Sequence, residues 1–507
     1  MFIKDIHGKA YKHIQRGIDF MKNQKHVQIL NIVITVLILI ILLFIHGFGG
    51  RVTGTDEEIS SLTVIATVLA IWCFVSTILC KIKITNLYTI YLIFYTVFIF
   101  GAMISRTFFN YLPNENLYLY RIVDITYISK AIILATYCML GMHLGANIAN
   151  LFKKEKNEEE IDDESKKKET IKIIRIVAAF LIIISVIPAI SNFITDASLA
   201  YQGGYEAVYS DKNIGVGSIN EKLDPFFFIG LLILMVSYKN DLKKARIIFL
   251  VNLLYNGLQI FFGARGIPLI NCIVIIITYH ICIQKFKTSY IIIAAILIIP
   301  LFNMLSMIKE VRKYPIEEWV ANIGTIWEET SKEQPILTVM NEMGTAIFPT
   351  AAALDFYPAQ IPYKYGTTYL YGILSIVPNI NSNEVHIAAR ENVATEVSEH
   401  YGARFGGSIV EDVYANFGWF APILFIAIGF SLFKISELAE RKYKNNFIIY
   451  PLYAFIAASI LWTTRNTINP IFRDFVWYVL STYIFYKLVY KYLQKNGGFK
   501  WKGKKYL

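Results

Sequence analysis

The sequence predicts an all-α, polytopic integral membrane protein that crosses the bilayer about twelve times, with both termini in the cytoplasm. Composition is the first observation, because 55% of the 507 residues are hydrophobic and 17% are charged, whereas a soluble chain carries about 25% charged residues. The second is that apolar residues form long blocks with few charges, each long enough for a helix to cross the hydrocarbon. The third is the unequal distribution of lysine and arginine among the connecting loops.

Each span is placed where an apolar block begins and ends. Two blocks are less regular, since 224–238 is short and 247–262 contains Asn252, Asn256 and Gln259. Polar side chains inside a span are costly in lipid, so we expect them to face other helices or a wet cavity. The predicted spans are 27–48, 61–80, 86–105, 125–150, 173–193, 224–238, 247–262, 268–284, 289–308, 408–433, 447–464 and 470–490.

Lysine and arginine set the orientation of these spans. With a cytoplasmic N-terminus, 33 of the 49 basic residues lie on the inner side and 16 lie on the outer side. Every short inner loop is basic, as the positive-inside rule requires. The net charge of +11 therefore reflects orientation and attraction to anionic membrane lipids. We expect no nucleic-acid partner.

We expect a single membrane domain over residues 1–507, with four distinct segments outside the spans. Residues 1–26 place isoleucines on one helical face between lysines, which predicts a cytoplasmic amphipathic helix on the inner leaflet. Residues 151–172 form a charged cytoplasmic loop, of which the stretch 153–170 is predicted to be solvated and disordered. Residues 309–407 form a large extracytoplasmic loop, and residues 491–507 form a basic cytoplasmic tail.

The loop 309–407 is the largest connection between predicted spans. Prolines divide it into short pieces, and two of them, 336–354 and 367–377, are apolar enough to lie on the outer leaflet or dip into it. A long ordered loop of this kind is usually functional, and the alternative is a lid that only covers the helices. The five cysteines lack the spacing of a metal site or a disulfide. We predict no metal and no other cofactor.

A set of arginines at the predicted outer ends of the spans indicates a bound anion. The positive-inside rule depletes arginine there, and a guanidinium binds phosphate oxygens through two parallel hydrogen bonds. Several such groups converging from different helix ends would suit a pyrophosphate, whereas Arg473 could instead pair with Asp474, and Arg404 with Glu411. The arginines are Arg265 in FFGARGIP, Arg404 in HYGARFGGS, Arg465 in WTTRNT and Arg473 in NPIFRDF.

Gly263 and Gly266 flank Arg265 in the connection between spans seven and eight. Glycine permits a sharp turn and a close approach of the backbone to a ligand. Because a tight hairpin of two helices also needs glycine, this short motif alone does not define a ligand site.

A second motif, GGSIVEDVYANFG at 406–418, opens span ten. Ser408 and Glu411 have the spacing of a capping box at a helix N-terminus, which is the structural interpretation of Glu411. A carboxylate in a cavity near arginines could also deprotonate a sugar hydroxyl, which is the functional interpretation. One helical face carries Glu411 and Tyr414, with Asp412 and Asn416 beside it.

His400, six residues before Gly406, is a second candidate for the base. Histidine is the most frequent general base in enzymes, although a lone loop histidine is more often a bystander. The candidate catalytic residues are therefore Glu411, His400 and Asp412. The candidate substrate-binding residues are Arg265, Arg404, Arg473, Arg465, Gly263, Gly266, Tyr414 and Asn416.

On these residues the chain resembles the O-antigen and capsule polysaccharide polymerases, the Wzy-type polymerases of oligosaccharide repeat units. GARG at 263–266, the stretch from Gly366 to Pro378 and GGSIVEDVYANFG at 406–418 carry the resemblance, together with the number of spans and the large outer loop. The resemblance covers most of the chain in architecture, while its motifs are three short segments. Ala421 departs from it, because we expect glycine at that position in much of the family.

The resemblance implies a metal-independent membrane glycosyltransferase of GT-C-like architecture in the bacterial cytoplasmic (inner) membrane. Its substrates would be repeat units on undecaprenyl pyrophosphate at the outer face. The growing chain would leave its lipid carrier and join the non-reducing end of the next unit. Arg265 and Arg404 would hold pyrophosphate, and Glu411 or His400 would be the base for the acceptor hydroxyl. Expected partners are membrane lipids, a chain-length regulator and a flippase.

Three alternatives remain open. A flippase or another transporter of lipid-linked oligosaccharides would show repeated halves and broken helices near mid-membrane, and we see no repeat in the sequence. A polyprenyl-phosphate-sugar-dependent glycosyltransferase or a ligase could place a metal at Asp56, Glu57 and Glu58, which otherwise form a solvated acidic loop. A cytoplasmic nucleotide-sugar enzyme fits poorly, because no inner loop is large enough for a nucleotide-binding domain.

Reporter fusions at residues 160 and 360 test the predicted topology. An odd number of predicted spans separates the two positions, so they should lie on opposite sides of the membrane. Green fluorescent protein should be fluorescent at residue 160 and alkaline phosphatase active at residue 360, since the first folds in the cytoplasm and the second requires export. Finding both positions on the same side would contradict the topology.

Overall fold

The structure, a computed structural model, describes residues 2–153, 164–212, 219–262, 266–287, 334–377, 392–403 and 405–495, with the single residues 318, 322, 324 and 328. All regular structure within these residues is helical, and none of them lies in a β-strand. The predicted all-α class is therefore confirmed for the described chain. Helices are expected, because a backbone in lipid must satisfy its own hydrogen bonds.

The described helices vary from long apolar segments to short turns. Two π-helical turns lie at Thr96–Phe100 and Phe475–Leu480. In chain order the α-helices are α1 (Phe2–His46), α2 (Asp56–Leu79), α3 (Leu87–Tyr95), α4 (Gly101–Phe109), α5 (Asn114–Ile122), α6 (Ile125–Leu151), α7 (Glu164–Lys212), α8 (Ile219–Ser237), α9 (Leu242–Phe262), α10 (Gly266–Cys282), α11 (Pro335–Met343), α12 (Ile347–Phe356), α13 (Thr367–Leu374), α14 (Val393–Tyr401), α15 (Ile409–Phe417), α16 (Ala421–Tyr443), α17 (Ile449–Trp462), α18 (Asn469–Asp474) and α19 (Ser481–Lys495).

The chain divides into two compact units. Unit 1 comprises Met1–Lys156, Gly344–Tyr365 and Val397–Glu437. Unit 2 comprises Asn157–Met343, Gly366–Glu396 and Leu438–Leu507. Each unit therefore combines segments from both halves of the sequence.

Six segments in the described part of the chain are long and apolar enough to span a membrane. They coincide with predicted spans one to five and with span ten. Gly266–Cys282 is a shorter apolar helix at predicted span eight, while 289–308 lies outside the described residues. The structure supports a multi-pass membrane protein, and the count of twelve spans stays a prediction. The six segments are Gln24–His46, Asp56–Leu79, Leu87–Phe109, Ile125–Leu151, Lys167–Leu199 and Ile409–Tyr443.

Helix α6 is the centre of unit 1, where it contacts α1, α2 and α12. Gly141 and Gly145, four residues apart on α6, lie against the backbone of α16. A Cβ atom added to them would lie 2.3 Å from the Pro422 carbonyl oxygen and 1.9 Å from the Ile426 carbonyl oxygen. Small residues at this spacing allow two membrane helices to approach closely.

A polar cluster around His143 joins α2, α3 and α6 inside unit 1. His143 Nε2 lies 2.7 Å from Ser76 Oγ, and Nδ1 lies 2.5 Å from the Tyr88 hydroxyl. Ser76 Oγ donates its hydrogen to the Cys73 carbonyl, so we assign Nε2 as the donor to Ser76 and Nδ1 as the acceptor from Tyr88. Because both ring nitrogens have partners, this histidine can be fully buried within a span.

Unit 2 contains helix α8, which packs against α7, α9, α10 and α17. Asn252 and Asn256 on α9 are fully buried. Asn256 Nδ2 donates to Asn252 Oδ1 at 3.1 Å, and Asn271 Nδ2 on α10 donates to Asn256 Oδ1 at 3.0 Å. The prediction that these polar side chains face another helix is therefore confirmed for Asn256, while Asn252 is buried and bonded within α9.

Large apolar side chains cover the surfaces of both units. Phe44 on α1 is 80% exposed and Ile78 on α2 is 68% exposed, and in unit 2 Ile187 on α7 is 75% exposed. A soluble monomer rarely exposes apolar patches this extensive. The surfaces instead suit contact with the hydrocarbon of a bilayer.

At the predicted cytoplasmic side, two segments differ from expectation. Helix α1 continues without a break from Phe2 to His46, so the N-terminal helix is continuous with span one, and its position on the leaflet stays a prediction. The disorder predicted for 153–170 is wrong from Glu164 onward, where α7 begins. Glutamate and lysine have high helix propensity, which extends the helix of span five. Residues 154–163 lie outside the described residues.

Predicted span ten consists of two helices rather than one. Helix α15 ends at Phe417, and a 3-10 turn at Gly418–Phe420 leads into α16. Gly418 has a φ angle of +57°, and an added Cβ would lie 2.8 Å from the Tyr363 ring. Glycine is therefore required here both for its conformation and for space.

Helix α12 lies in the segment predicted to reach the outer leaflet. It is instead buried in unit 1, where it packs against α6 and α15. A helix that is apolar on all sides belongs in a protein core or in lipid. Sequence alone does not separate these two environments, which explains the difference.

Replacing Gly145 by leucine should destabilise unit 1, because even the Cβ atom would overlap the Ile426 carbonyl oxygen. Overpacking of this kind costs about 1–3 kcal/mol, and the midpoint of thermal unfolding of the detergent-purified protein measures it. Gly257→Leu on α9 is the matched control, because a Cβ at Gly257 meets no atom within 4 Å. Equal unfolding midpoints for the two variants would contradict this packing.

Candidate functional site

Ser408 begins α15 and forms the predicted capping box with Glu411. Ser408 Oγ accepts a hydrogen bond from the Glu411 backbone N–H at 3.0 Å, and Glu411 Oε2 accepts one from the Ser408 N–H at 2.9 Å. Ser408 Oγ also lies 2.8 Å from Thr350 Oγ1 on α12. The structural interpretation of Glu411 is thus confirmed, and the start of α15 is held on α12.

The second carboxylate oxygen of Glu411 has a different environment. The residue is 0% exposed, and its Oε1 atom is buried without a hydrogen-bond partner among the described residues. An unpaired polar atom in such a place is costly. A donor such as a ligand hydroxyl at Oε1 would offset that cost. Glu411 thus caps the helix with one oxygen, while the other has no partner within the described chain.

Asp412 and Asn416 are buried beside Glu411 on α15. Asn416 Nδ2 donates to the Asp412 carbonyl at 2.8 Å, a bond within the same helix. At the end of α15, the carbonyls of Ala415 and Asn416 accept hydrogen bonds from the N–H groups of Lys364 and Tyr365 at 2.9 and 3.0 Å. Free carbonyls at a helix end need such partners, so these bonds support the structure of the site.

Tyr414 is almost fully buried in an aromatic cluster of unit 1. Its hydroxyl donates to the Tyr357 carbonyl at 3.2 Å and lies 3.3 Å from the Tyr363 hydroxyl. Its ring centroid lies 5.8 Å from that of Tyr363 and 6.2 Å from the Trp419 ring, both nearly perpendicular. These edge-to-face contacts hold the Tyr414 ring in place, and the residue lies on the same short helix as Glu411.

His400 lies exposed in the last turn of α14, also in unit 1. Its ring centroid is 4.8 Å from that of Phe356 and 4.9 Å from that of Tyr401. The Tyr401 hydroxyl donates to an oxygen of Asp355. Burial, followed by this carboxylate, raises the pKa of Tyr401, so the phenol stays protonated and donates. His400 therefore lies against two aromatic rings near Asp355, a carboxylate that was not among the candidate residues predicted from the sequence.

The two arginines that carry the family motifs lie outside the described residues, as does Gly263; they are Arg265 and Arg404. Arg465 and Arg473 belong to unit 2. Arg465 Nη1 donates to the Glu342 carbonyl at 3.2 Å, and Arg473 is exposed at the end of α18. The convergence of the four arginines on one phosphate site therefore stays a prediction.

The contacts of Asp474 in unit 2 bear on its alternative ion pair with Arg473. Asp474 Oδ2 accepts a hydrogen bond from Ser459 Oγ on α17 at 2.8 Å. That bond holds the carboxylate toward α17. Arg473 is exposed at the helix surface and its charge still acts on the Asp474 carboxylate, so the ion-pair alternative stays open.

The motif glycines of unit 2 have packing roles. A Cβ atom at Gly266 would lie 2.1 Å from the Trp462 ring on α17, so glycine is needed where α10 begins. In the motif stretch that starts at Gly366, a Cβ atom at Gly372 would lie 2.7 Å from Asn469 Oδ1 on α18. The motif helix α13 is therefore packed against the helix that carries Arg473.

The acidic group at the start of α2 is engaged by protein partners. Arg106 Nη2 and the Tyr120 hydroxyl both lie 2.6 Å from Asp56 Oδ1. Glu58 Oε2 accepts hydrogen bonds from the Thr53 and Gly54 N–H groups at 3.0 and 2.9 Å. Within the described chain, no group of three acidic, histidine or cysteine side chains is arranged to hold a metal. These contacts favour a structural role over the metal site considered for a polyprenyl-phosphate-sugar-dependent enzyme.

Sequence interpretation missed Asp355 and Arg106. Arg106 lies beyond predicted span three, so the topology alone could have added it to the set of outer arginines. Asp355 carries a weaker signal, a single carboxylate in the apolar run AAALDFYP. Its partner Tyr401 is 46 residues away in sequence, and only the fold brings the two together.

A family model described as O-antigen polysaccharide polymerase Wzy matches residues 29–496, nearly the whole chain. No curated protein and no solved structure gives a significant match. The helices define a multi-pass membrane protein, and the match defines its class as a glycosyltransferase-type polysaccharide polymerase. This chain belongs to the O-antigen polysaccharide polymerase Wzy family.

Proposed function

We propose that this chain polymerises undecaprenyl-pyrophosphate-linked oligosaccharide repeat units into a surface polysaccharide, such as O-antigen or capsule, at the outer face of the bacterial cytoplasmic membrane. The observation that carries the proposal is the family match over residues 29–496. The buried Glu411 carboxylate supports it, because Oε1 has no hydrogen-bond donor among the described residues and a substrate hydroxyl would supply one.

The proposed reaction transfers a glycan between two lipid carriers. Glu411 accepts the proton of the acceptor hydroxyl at the non-reducing end of one lipid-linked unit. The hydroxyl oxygen then forms a bond to the anomeric carbon of the growing chain. The bond between that carbon and the pyrophosphate oxygen breaks, and the electron pair leaves with undecaprenyl pyrophosphate. His400 is the alternative base, and Asp412 raises the negative charge beside Glu411.

The proposed role of the arginines is to stabilise the charge that develops on the leaving pyrophosphate. Removing one preorganised hydrogen-bond donor to a developing negative charge raises the activation free energy of an enzyme reaction by about 2.7–4 kcal/mol. We assign this role to Arg265 and Arg404 first. Arg465 and Arg473 are proposed as additional groups with the same role. Since guanidinium groups supply the positive charge, the proposed mechanism needs no metal.

The proposed architecture has twelve spans, a GT-C-like membrane domain and cytoplasmic termini, with the loop 309–407 on the side where lipid-linked units are presented. A flippase that delivers these units and a regulator of chain length are the proposed partners. Exposed apolar helices such as α1 and α7 keep the enzyme within the leaflets that hold its polyprenyl substrate.

Complementation of a strain lacking this gene tests the proposed residues. Glu411→Gln should reduce long-chain polysaccharide at least about 100-fold, the usual contribution of a general base. Glutamine can still close a capping box, so the variant separates catalysis from helix capping. Arg265→Ala and Arg404→Ala should abolish polymer at unchanged protein levels. Gel electrophoresis of surface polysaccharide gives the chain-length profile.

Glu437→Gln is the matched control, because Glu437 is a partly buried carboxylate of unit 1 that pairs with Lys434 at 2.7 Å. It should restore the full chain-length profile. Full-length polysaccharide from the Glu411→Gln variant would show that Glu411 is not the general base. Full polymer from both arginine variants would remove the phosphate site.

A further inference from the structure

Asp355 is the meeting point of three separate elements of unit 1. It lies half-buried at the end of α12. The Tyr401 hydroxyl of α14 donates to one of its oxygens, and the Tyr127 hydroxyl at the start of α6 interacts with the same carboxylate. The Asp355 carboxylate therefore joins α6, α12 and α14 through side-chain contacts.

Further aromatic rings of unit 1 lie near this carboxylate. His400 is an exposed ring against Tyr401 and Phe356. A second aromatic cluster of unit 1 surrounds Tyr414. The Tyr414 ring contacts Tyr363 and Trp419, with centroids 5.8 and 6.2 Å apart. The Asp355 carboxylate thus lies close to the aromatic side chains of Tyr401 and Tyr127.

The simpler interpretation of these rings is an aromatic belt at the membrane interface, since tyrosine and tryptophan are enriched at the level of the lipid headgroups. A belt presents rings outward to lipid and needs no carboxylate among them. Here Tyr414 is 2% exposed, and the half-buried Tyr127 and Tyr401 point their hydroxyls at Asp355. The arrangement therefore fits a polar ligand with apolar faces better than it fits lipid.

We propose that Asp355, with the hydroxyls of Tyr127 and Tyr401, forms a subsite that binds a sugar ring of the oligosaccharide substrate. A pyranose offers hydroxyl donors for a carboxylate and for tyrosine oxygens, and C–H faces for aromatic rings. Binding sites of small polar molecules combine these same elements, an aromatic lining with few polar groups. The inference rests on the proposed function and deepens it, because it assigns substrate recognition to residues other than Glu411.

Asp355 acts in this proposal as a positioning residue. Its oxygens already accept hydrogen bonds from tyrosine hydroxyls, so it orients a sugar hydroxyl within a fixed network and does not take its proton. Tyrosine oxygens can accept from sugar hydroxyls while their own hydrogens point at the carboxylate. The class of ligand is an oligosaccharide, with or without its lipid carrier.

Binding of free oligosaccharide to purified protein in nanodiscs tests the subsite. The probe is the repeat unit released by mild acid from the lipid-linked pool of the strain lacking this gene. Saturation-transfer difference NMR titration gives Kd. Asp355→Asn should weaken binding at least about tenfold, as expected for loss of a hydrogen bond to a charged group. Tyr401→Phe should weaken it about threefold to tenfold.

Glu399→Gln is the matched control, since Glu399 is an exposed carboxylate of the same unit and the same helix as Tyr401. It should bind like the unaltered protein. The unfolding midpoint of each variant separates binding from folding, because asparagine can still accept the Tyr401 hydrogen bond. Weaker binding by Asp355→Asn at an unchanged midpoint supports the subsite.

Equal Kd values for Asp355→Asn and the unaltered protein would overturn the subsite, as would no binding by the unaltered protein. Both results leave the polymerase proposal in place if long-chain polysaccharide still requires the gene. Polysaccharide of normal length without the gene would instead overturn the proposed function, whatever the binding result. The two failures are therefore distinguishable.

Discussion

The two hydrogen bonds between Ser408 and Glu411 fix a carboxylate where water is excluded, and the account of the site depends on them. In a membrane protein every buried polar group needs a partner supplied by the protein or by a ligand. The capping box satisfies Oε2 and the first N–H groups of α15, while Oε1 is left for a donor from elsewhere. In the proposed mechanism, the same contacts that stabilise the helix leave this oxygen for the acceptor hydroxyl.

The rest of unit 1 keeps this short helix in place. Thr350 ties its start to α12, and the N–H groups of Lys364 and Tyr365 satisfy its last carbonyls. Helix α12 can be buried against α6 and α15 because α12 is itself apolar along most of its length. Asp355, at the end of α12, then carries the tyrosine network proposed to bind sugar. Recognition and proton transfer are in this account the tasks of two different carboxylates on adjacent helices.

Local patterns were the predictable part of this structure. The capping box follows from residues three apart, and the burial of Asn252 and Asn256 follows from the cost of polar groups in lipid. The break at Gly418 was not predicted, because the apolar composition of the span continues through it. The pairing of Asp355 with Tyr401 depends on tertiary contacts between residues 46 apart. Arg265 and Arg404 lie outside the described residues, so their convergence rests on sequence alone.

The location of lipid-linked intermediates in a strain lacking this gene is the most direct test of the central claim. Intact cells can be treated with a membrane-impermeant glycan-modifying reagent, and the extracted lipid-linked pool analysed by mass spectrometry. The account predicts single repeat units that are modified, and therefore exposed on the outer face, with no longer chains. Single units protected from the reagent, and thus held on the inner face, would contradict it and indicate a flippase.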